Sequence, residues 1–154
     1  MSVDVAAQAR AYTRFWETLA PESSLHLPEF VVPDVEFRDP LNHVRGIGGM
    51  AAIIAKTFHD LDHPQFIVVN VAVSGQMAFI GWTFNFRRKG WGGGSQWSID
   101  GVSEVHFNDA GLVTRHIDHW DAGSEIYERL PAIGAIIRFI RRWLTVEGHT
   151  HHMH

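Results

Sequence analysis

Cysteine is absent from the 154 residues, which removes disulfide scaffolds, thiolate nucleophiles, thiolate zinc sites and iron–sulfur clusters and fits a reducing compartment. Positive charge is also short. Lys and Arg number 13 against 17 Asp and Glu, a formal charge of −4 with a sequence pI near 6.2, the wrong sign for displacing counterions from a nucleic acid backbone. No apolar run reaches the roughly 18 residues of a membrane span. The opening Met1-Ser2-Val3-Asp4-Val5 lacks the basic and apolar regions of a secretion signal. These absences predict a cytoplasmic protein that engages neither nucleic acid nor membrane.

What the chain does contain is apolar bulk. Hydrophobic residues make up 45% and aromatic residues 12%, with 10 Phe and 6 Trp. That supports one core in one domain, since domains usually run to roughly 100–150 residues. The expected domain spans residues 1–146, with a His-rich tail over 147–154. Histidine stands at 11, and because imidazole is a common metal ligand and proton carrier near neutral pH, each of them needs an explanation.

Val5, Ala9, Tyr12, Phe15, Trp16 and Leu19 recur at spacings of three and four. That is the period of one helical face, and it predicts a helix over 5–19 ended by Pro21. A shorter helical piece over 24–31 carries Leu27 and Phe30 inward, and Pro33-Asp34 then turns the chain into a strand over 35–39 closed by Pro40. Ile47, Met50, Ile53, Ile54 and Phe58 predict a second long helix over 46–61, where Gly48-Gly49 permits close backbone approach. Beyond Pro64 the period becomes two, predicting strands at 65–74, 77–88, 95–107 and 112–121. Ser74-Gly75-Gln76 and Asn108-Asp109-Ala110-Gly111 are tight turns, and 89–94 is a looser tip. Ser124 as a cap and Pro131 at a first helical position introduce a last helix. Helices followed by a long antiparallel meander make an α+β fold. Its expected form is a cone-shaped roll in which the N-terminal helices cover the concave face of a strongly bent sheet, with a C-terminal helix added. A cone of this kind encloses a pocket suited to a small ligand.

Three stretches carry a family resemblance. They are Pro33-Asp34-Val35-Glu36-Phe37-Arg38-Asp39-Pro40 followed by Arg45-Gly46-Ile47, then residues 101–113 from Gly101-Val102-Ser103 through Asn108-Asp109-Ala110-Gly111, then Arg115-His116-Ile117-Asp118-His119-Trp120-Asp121-Ala122. Together they resemble the nuclear transport factor 2-like superfamily, and within it the SnoaL-like branch of polyketide cyclase and ketosteroid isomerase-like proteins. The resemblance covers nearly the whole chain and implies a homodimer paired through the outer face of the sheet. The superfamily holds isomerases, cyclases, epoxide hydrolases, dehydratases and non-enzymatic binders, so the fold does not choose the reaction.

In the isomerase pattern an Asp followed by Pro after the first strand is the general base, and Asp39-Pro40 matches it. The first-helix Tyr of that pattern falls at Phe15 and its late-strand Asp at Ser103, so both oxyanion acids are missing. Tyr12, one turn earlier, and Ser103 itself are the substitutes available. In the limonene epoxide hydrolase pattern the last-strand Asp matches Asp118, but the middle-strand Arg and Asp fall near Trp82 and Phe84, which cannot activate a water. In SnoaL-like cyclases the last-strand Asp is the acid/base, a role that Asp118, or Asp121, inherits by resemblance.

Alternation along the last strand puts His116, Asp118 and Trp120 on one face and Arg115, Ile117, His119 and Asp121 on the other. The match of Asp118 to a pocket-facing Asp takes His116 and Trp120 into the pocket with it. A His two residues from an Asp can share its proton, and an apolar Trp wall would raise the carboxylate toward the working range of an acid or base. The alternative is a satisfied buried pair with no chemistry. Asp39, beside Arg38 and Arg45, is equally a turn-former. His43 lies at the expected pocket mouth. His59 and His63 flank Asp60 and Asp62 without the ligand spacing of a known metal site. His26 and His106 have packing or solvation explanations, and His149, His151, His152 and His154 belong to the tail.

The last helix sets Ile133, Ile136, Ile137, Ile140 and Leu144 on one side, for packing on the sheet or a second subunit, with Arg138, Arg141 and Arg142 where they complement the helix dipole. The chain therefore reads as a small-molecule enzyme or binder. Asp39 is the expected base, with Asp118 and His116 as a second acid/base pair. Tyr12, Phe15, Trp16, Phe58, Trp82, Trp97, Ser103 and Trp120 would surround an apolar, polyketide- or steroid-like ligand. No metal or other cofactor is expected. The competing expectation is a non-catalytic ligand-binding or dimeric adaptor module on the same fold.

Overall fold

Asp4 starts the first helix. Its carboxylate accepts from the Ala7 amide at 3.1 Å, the capping bond that satisfies an otherwise orphaned donor. Helix α1 then runs Val5–Glu17 and buries Ala9, Tyr12, Thr13 and Phe15. The chain is described by a computed structural model over residues 2–90, 94–129 and 131–144. The centre of the 89–94 tip and the 147–154 tail lie outside these residues.

A 3₁₀ helix, Pro21–Glu29, follows α1, and strand β1, Val31–Arg38, starts four residues earlier than periodicity suggests. A short strand β2, His43–Arg45, precedes helix α2, Ile47–Asp60. Strands β3, Leu61–Ser74, β4, Met77–Arg88, β5, Gln96–Phe107, and β6, Val113–Trp120, complete one six-stranded sheet in the order β2-β1-β6-β5-β4-β3. The meander is antiparallel as expected, but the sheet as a whole is mixed because β1 pairs with β6 in parallel. Pro33 cannot donate to a ladder. It sits where the β1–β6 register shifts, between Val31 and Glu36, and this irregularity lets a proline occupy an internal strand.

The chain divides after Trp120 into two compact units. The first holds α1, α2 and the sheet, with Tyr12, Leu27, Val35, Met50, Ile54, Val105 and Val113 fully buried. In the second, Asp121 rather than Ser124 caps helix α3, Ala122–Glu125, its carboxylate accepting from the Ser124 amide at 3.1 Å. Helix α4, Pro131–Leu144, follows.

Two glycines make room for neighbours. Gly49 stands against Val44, where a Cβ would lie 2.8 Å from the valine Cβ. Gly101 is tighter, since a Cβ there would collide with the Trp82 ring, its direct partner across β4 and β5. Gly101→Ala is expected to destabilise the protein by about 1–3 kcal/mol, the usual cost of overpacking. Urea unfolding with an unchanged midpoint would show that the Trp82 ring does not need this space.

The outer face of the sheet carries polar pairs. Glu104 accepts from His106 at 2.7 Å and from His119 at 3.1 Å, while Glu36 is held by His43 at 2.8 Å and Arg115 at 3.2 Å. The hydrogen bond from His106, with that from His119, holds the Glu104 carboxyl below its ordinary 4.5. A carboxylate depressed in the folded state adds stability that is present above its unfolded pKa and lost as pH falls through the folded value. Melting temperatures from neutral pH to well below 4.5 should therefore decline in the wild type, and Glu104→Gln should flatten part of that decline. An identical acid limb in the variant would remove Glu104 from the account.

Candidate active site

Cross-strand pairing assembles the site. Ile80, Ser103 and Asp118 are direct partners across β4, β5 and β6, so their side chains share one face of the sheet. One step along, Ala78, Val105 and His116 form the next inward row. Helix α1 lies over this face and contributes Tyr12, Thr13 and Trp16, which its 3.6-residue period turns toward the strands.

A continuous polar chain results. The Trp82 indole N–H donates to Ser103 Oγ at 2.8 Å, and Ser103 Oγ–H donates to Asp118 Oδ1 at 2.5 Å. His116 Nε2 meets the same Oδ1 at 2.8 Å, and Tyr12 Oη lies 2.7 Å from His116 Nδ1. The directions follow from the chemistry of the groups. An ionised carboxylate only accepts, so Nε2 carries the hydrogen, and in the neutral imidazole Nδ1 must then accept from the Tyr12 hydroxyl. Burial pushes the Tyr12 phenol up from its ordinary 10.0, partly offset by a hydrogen bond with the Trp16 side chain, and the charge of Asp118 adds to the rise. The phenol thus stays protonated and able to donate.

The His116 ring is fixed from three sides, with centroids 5.6 Å from Tyr12, 5.3 Å from Trp16 and 5.0 Å from Phe37. Its side chain is only 3% exposed and that of Asp118 12%. Both hydrogen bonds to the carboxylate reach Oδ1; Oδ2 accepts none among the described residues.

Asp118 lines a cavity together with Thr13, Trp16, Phe66, Val68, Ile80, Trp82, Ser103 and His116. The volume open to water centres is about 20 Å³, enough for one water-sized group. Trp16 and Phe66 in its wall are half-buried and stand edge to face at 5.8 Å.

The expected residues divide accordingly. Asp118, His116, Ser103, Trp16 and Trp82 reach the cavity, and Tyr12 stands behind His116. Phe15 packs in the core, stacked on Tyr12 at a centroid distance of 6.2 Å, and Phe58 and Trp120 pack partly buried against it. Trp97 lies beside Phe86, centroids 5.8 Å apart, with the Arg88 guanidinium 5.3 Å from its ring. None of these four lines the cavity.

Asp39 does not join Asp118. Its Oδ1 accepts from the Leu41 and Asn42 amides at 2.7 Å each, and the Asn42 side chain bridges both carboxylate oxygens. This is the turn-forming use of an Asp before proline. His43 is committed to Glu36 on the outer face. His59 pairs with Asp60 at 2.7 Å, and no group of three or more such side chains among the described residues is arranged to hold a metal ion.

Thr13, Phe66, Val68 and Ile80 line the cavity without having been singled out by sequence. Period-two spacing of Phe66 and Val68 was the available signal for the strand pair; Thr13 gave none.

The comparisons agree with this architecture. A family model described as a SnoaL-like domain matches residues 9–116. Among solved structures the chain is similar to TsrD from Streptomyces laurentii, at 24% identity and a TM-score of 0.68, covering 84% of this chain and 98% of that one. It is similar to a protein from Jannaschia sp. CCS1, provisionally named a SnoaL-like polyketide cyclase, at 16% identity, TM-score 0.68 and coverages of 80% and 92%. A ketosteroid isomerase-like fold from Catenulispora acidiphila, in complex with trimethylamine, matches at 12% identity, TM-score 0.65 and coverages of 82% and 92%. At these identities the structural likenesses speak for the fold alone. No curated protein matches the chain.

Proposed function

This chain belongs to the SnoaL-like domain family, and we propose that it moves a proton on the carbon next to a carbonyl group of a small apolar molecule, the chemistry of an isomerase or cyclase. One observation carries the proposal. Asp118 has one oxygen tied down by His116 and Ser103 and the other unengaged among the described residues, and the residue lines a cavity walled in part by Trp16, Phe66 and Trp82. A carboxylate held in this way is oriented before the substrate arrives, which is how a positioned general base lowers a barrier.

In the proposed step Asp118 Oδ2 takes the α proton. The C–H electron pair becomes the carbon–carbon double bond of an enolate, and the carbonyl π pair moves to oxygen. The carboxylic acid then returns its proton to carbon, at the same position for exchange or at another for isomerisation. His116 and Tyr12 act as positioning residues. The resting cavity admits the reacting end of the molecule, so a polyketide- or steroid-like body would lie between the displaced rings of Trp16 and Phe66. Asp39 takes no part in this step.

Cyclohexanone in D₂O tests the reading. The wild type is expected to replace the α protons with deuterium well above the buffer rate, followed by loss of the α-proton NMR signal. Exchange at the buffer rate would return the protein to the ligand-binding module.

A second copy of this chain is the proposed partner. Phe79 and Val102 lie exposed in neighbouring rows of the outer face, an apolar patch where Glu104 already has its histidines. Analytical ultracentrifugation should give twice the 17.4 kDa chain mass, and Phe79→Glu with Val102→Glu should give the single mass. A monomeric wild type would rule this pairing out.

A further inference from the structure

Helix α4 leaves most of its apolar surface uncovered. Ile133, Ile136, Phe139, Ile140, Trp143 and Leu144 are exposed, Trp143 by 84% and Phe139 by 66%, while Gly134 is buried and Ile137 half-buried. At about 100° per residue the six exposed side chains share one arc of about 140°. Arg138, Arg141 and Arg142 lie on the opposite arc, and residues 131–144 contain no acid. Arg141 also reaches the Asp121 carboxylate at 3.5 Å and stays half-exposed.

The width of the arc and the sign of the charge decide what covers this helix. A partner helix is met along a narrow seam, two positions in seven, flanked by acids and bases that set the pairing. Helix α4 offers a broader arc and cations alone. A continuous apolar phase bordered by negative charge matches both features, and that is the surface of a bilayer containing anionic lipids. Phe139 and Trp143 stand one turn apart on a flank of the arc, and an indole, apolar with one N–H, favours the headgroup level.

The helix would lie on such a surface and not cross it. Its 14 residues rise about 21 Å against a hydrocarbon core of about 30 Å, and no helix of the described residues is long and apolar enough to span a membrane. Absence of a spanning run, from which the sequence predicts no membrane contact, does not bear on a helix lying flat. We infer that α4 docks the protein on anionic lipid bilayers. Ile136, Phe139, Ile140 and Trp143 enter the acyl boundary, and the long arginine side chains reach back to the lipid phosphates. The inference does not depend on the reading of Asp118.

Vesicles of phosphatidylcholine, with and without phosphatidylglycerol, provide the test on the full chain. The wild type should sediment with the mixed vesicles, bind pure phosphatidylcholine about tenfold more weakly, and be released from the mixed vesicles by salt. Tryptophan emission should shift to the blue on the mixed vesicles, and Trp143→Phe should remove that shift. Arg138→Gln combined with Arg142→Gln should weaken binding by about thirtyfold, the scale of two basic residues near an anionic surface. Ile136→Glu combined with Ile140→Glu should abolish binding, and because both positions are exposed the melting temperature should stay where it is. Binding that ignores phosphatidylglycerol, or that survives the two glutamates, would overturn the inference, as would no binding at all. A blue shift that grows with protein concentration in the absence of vesicles would overturn it in favour of a second copy of the chain.

Discussion

Asp118→Asn should abolish most proton exchange while leaving the fold intact, with a loss of about 10²–10⁴ in rate, the usual contribution of a positioned general base. The amide oxygen can still accept from Ser103 and His116, the two bonds that Oδ1 makes in the wild type. The amide nitrogen would stand in the cavity, where it offers hydrogens and no basic lone pair. Because the hydrogen-bond donors on Ser103 and His116 keep their acceptor, the melting temperature should stay near that of the wild type. Exchange rates by NMR and thermal unfolding by circular dichroism read the two quantities separately. An Asp118→Asn variant that exchanges as fast as the wild type would place the base elsewhere.

Tyr12→Phe should have the largest effect on stability among changes that remove a single atom from the site. The ring is fully buried and keeps its packing against Phe15, Trp16 and Phe30. The lost hydroxyl leaves His116 Nδ1 without a donor in a place water reaches poorly, since His116 is 2% exposed. That cost is about 1–3 kcal/mol, measurable by urea unfolding. Activity should fall as well, because an imidazole free to take the other tautomer no longer presents Nε2–H to Asp118 and the carboxylate loses one of its two anchors. ¹⁵N spectra of the imidazole should show the Nε2–H form in the wild type and a mixture in the variant. Unchanged stability together with an unchanged tautomer would mean that Tyr12 does not hold His116.

Helix α1, helix α2 and the four-stranded meander were legible in the sequence because each carries its periodicity without interruption. The alternation of β6 alone put His116 and Asp118 on a common face, and the family resemblance pointed to Asp118, Tyr12 and Ser103. Three things were hidden for physical reasons. Strand β1 contains Pro33, a residue that argues against an internal strand, and only the irregular β1–β6 register accommodates it. Asp39 before Pro40 satisfies two descriptions equally, and the choice depends on Asn42, whose amide groups occupy the carboxylate. Thr13 is a polar residue beside an apolar stripe, and no spacing rule distinguishes a solvated hydroxyl from a buried one. Core and cavity draw on the same aromatic side chains, so spacing alone does not separate Phe15, Phe58, Trp97 and Trp120 from the rings that line the cavity.

The most direct test is a crystal structure of the wild-type protein soaked with cyclohexanone. The ketone should lie in the cavity with an α carbon in contact with Asp118 Oδ2. A ketone bound at Asp39, or on the outer face of the sheet with the Asp118 cavity closed, would contradict the account.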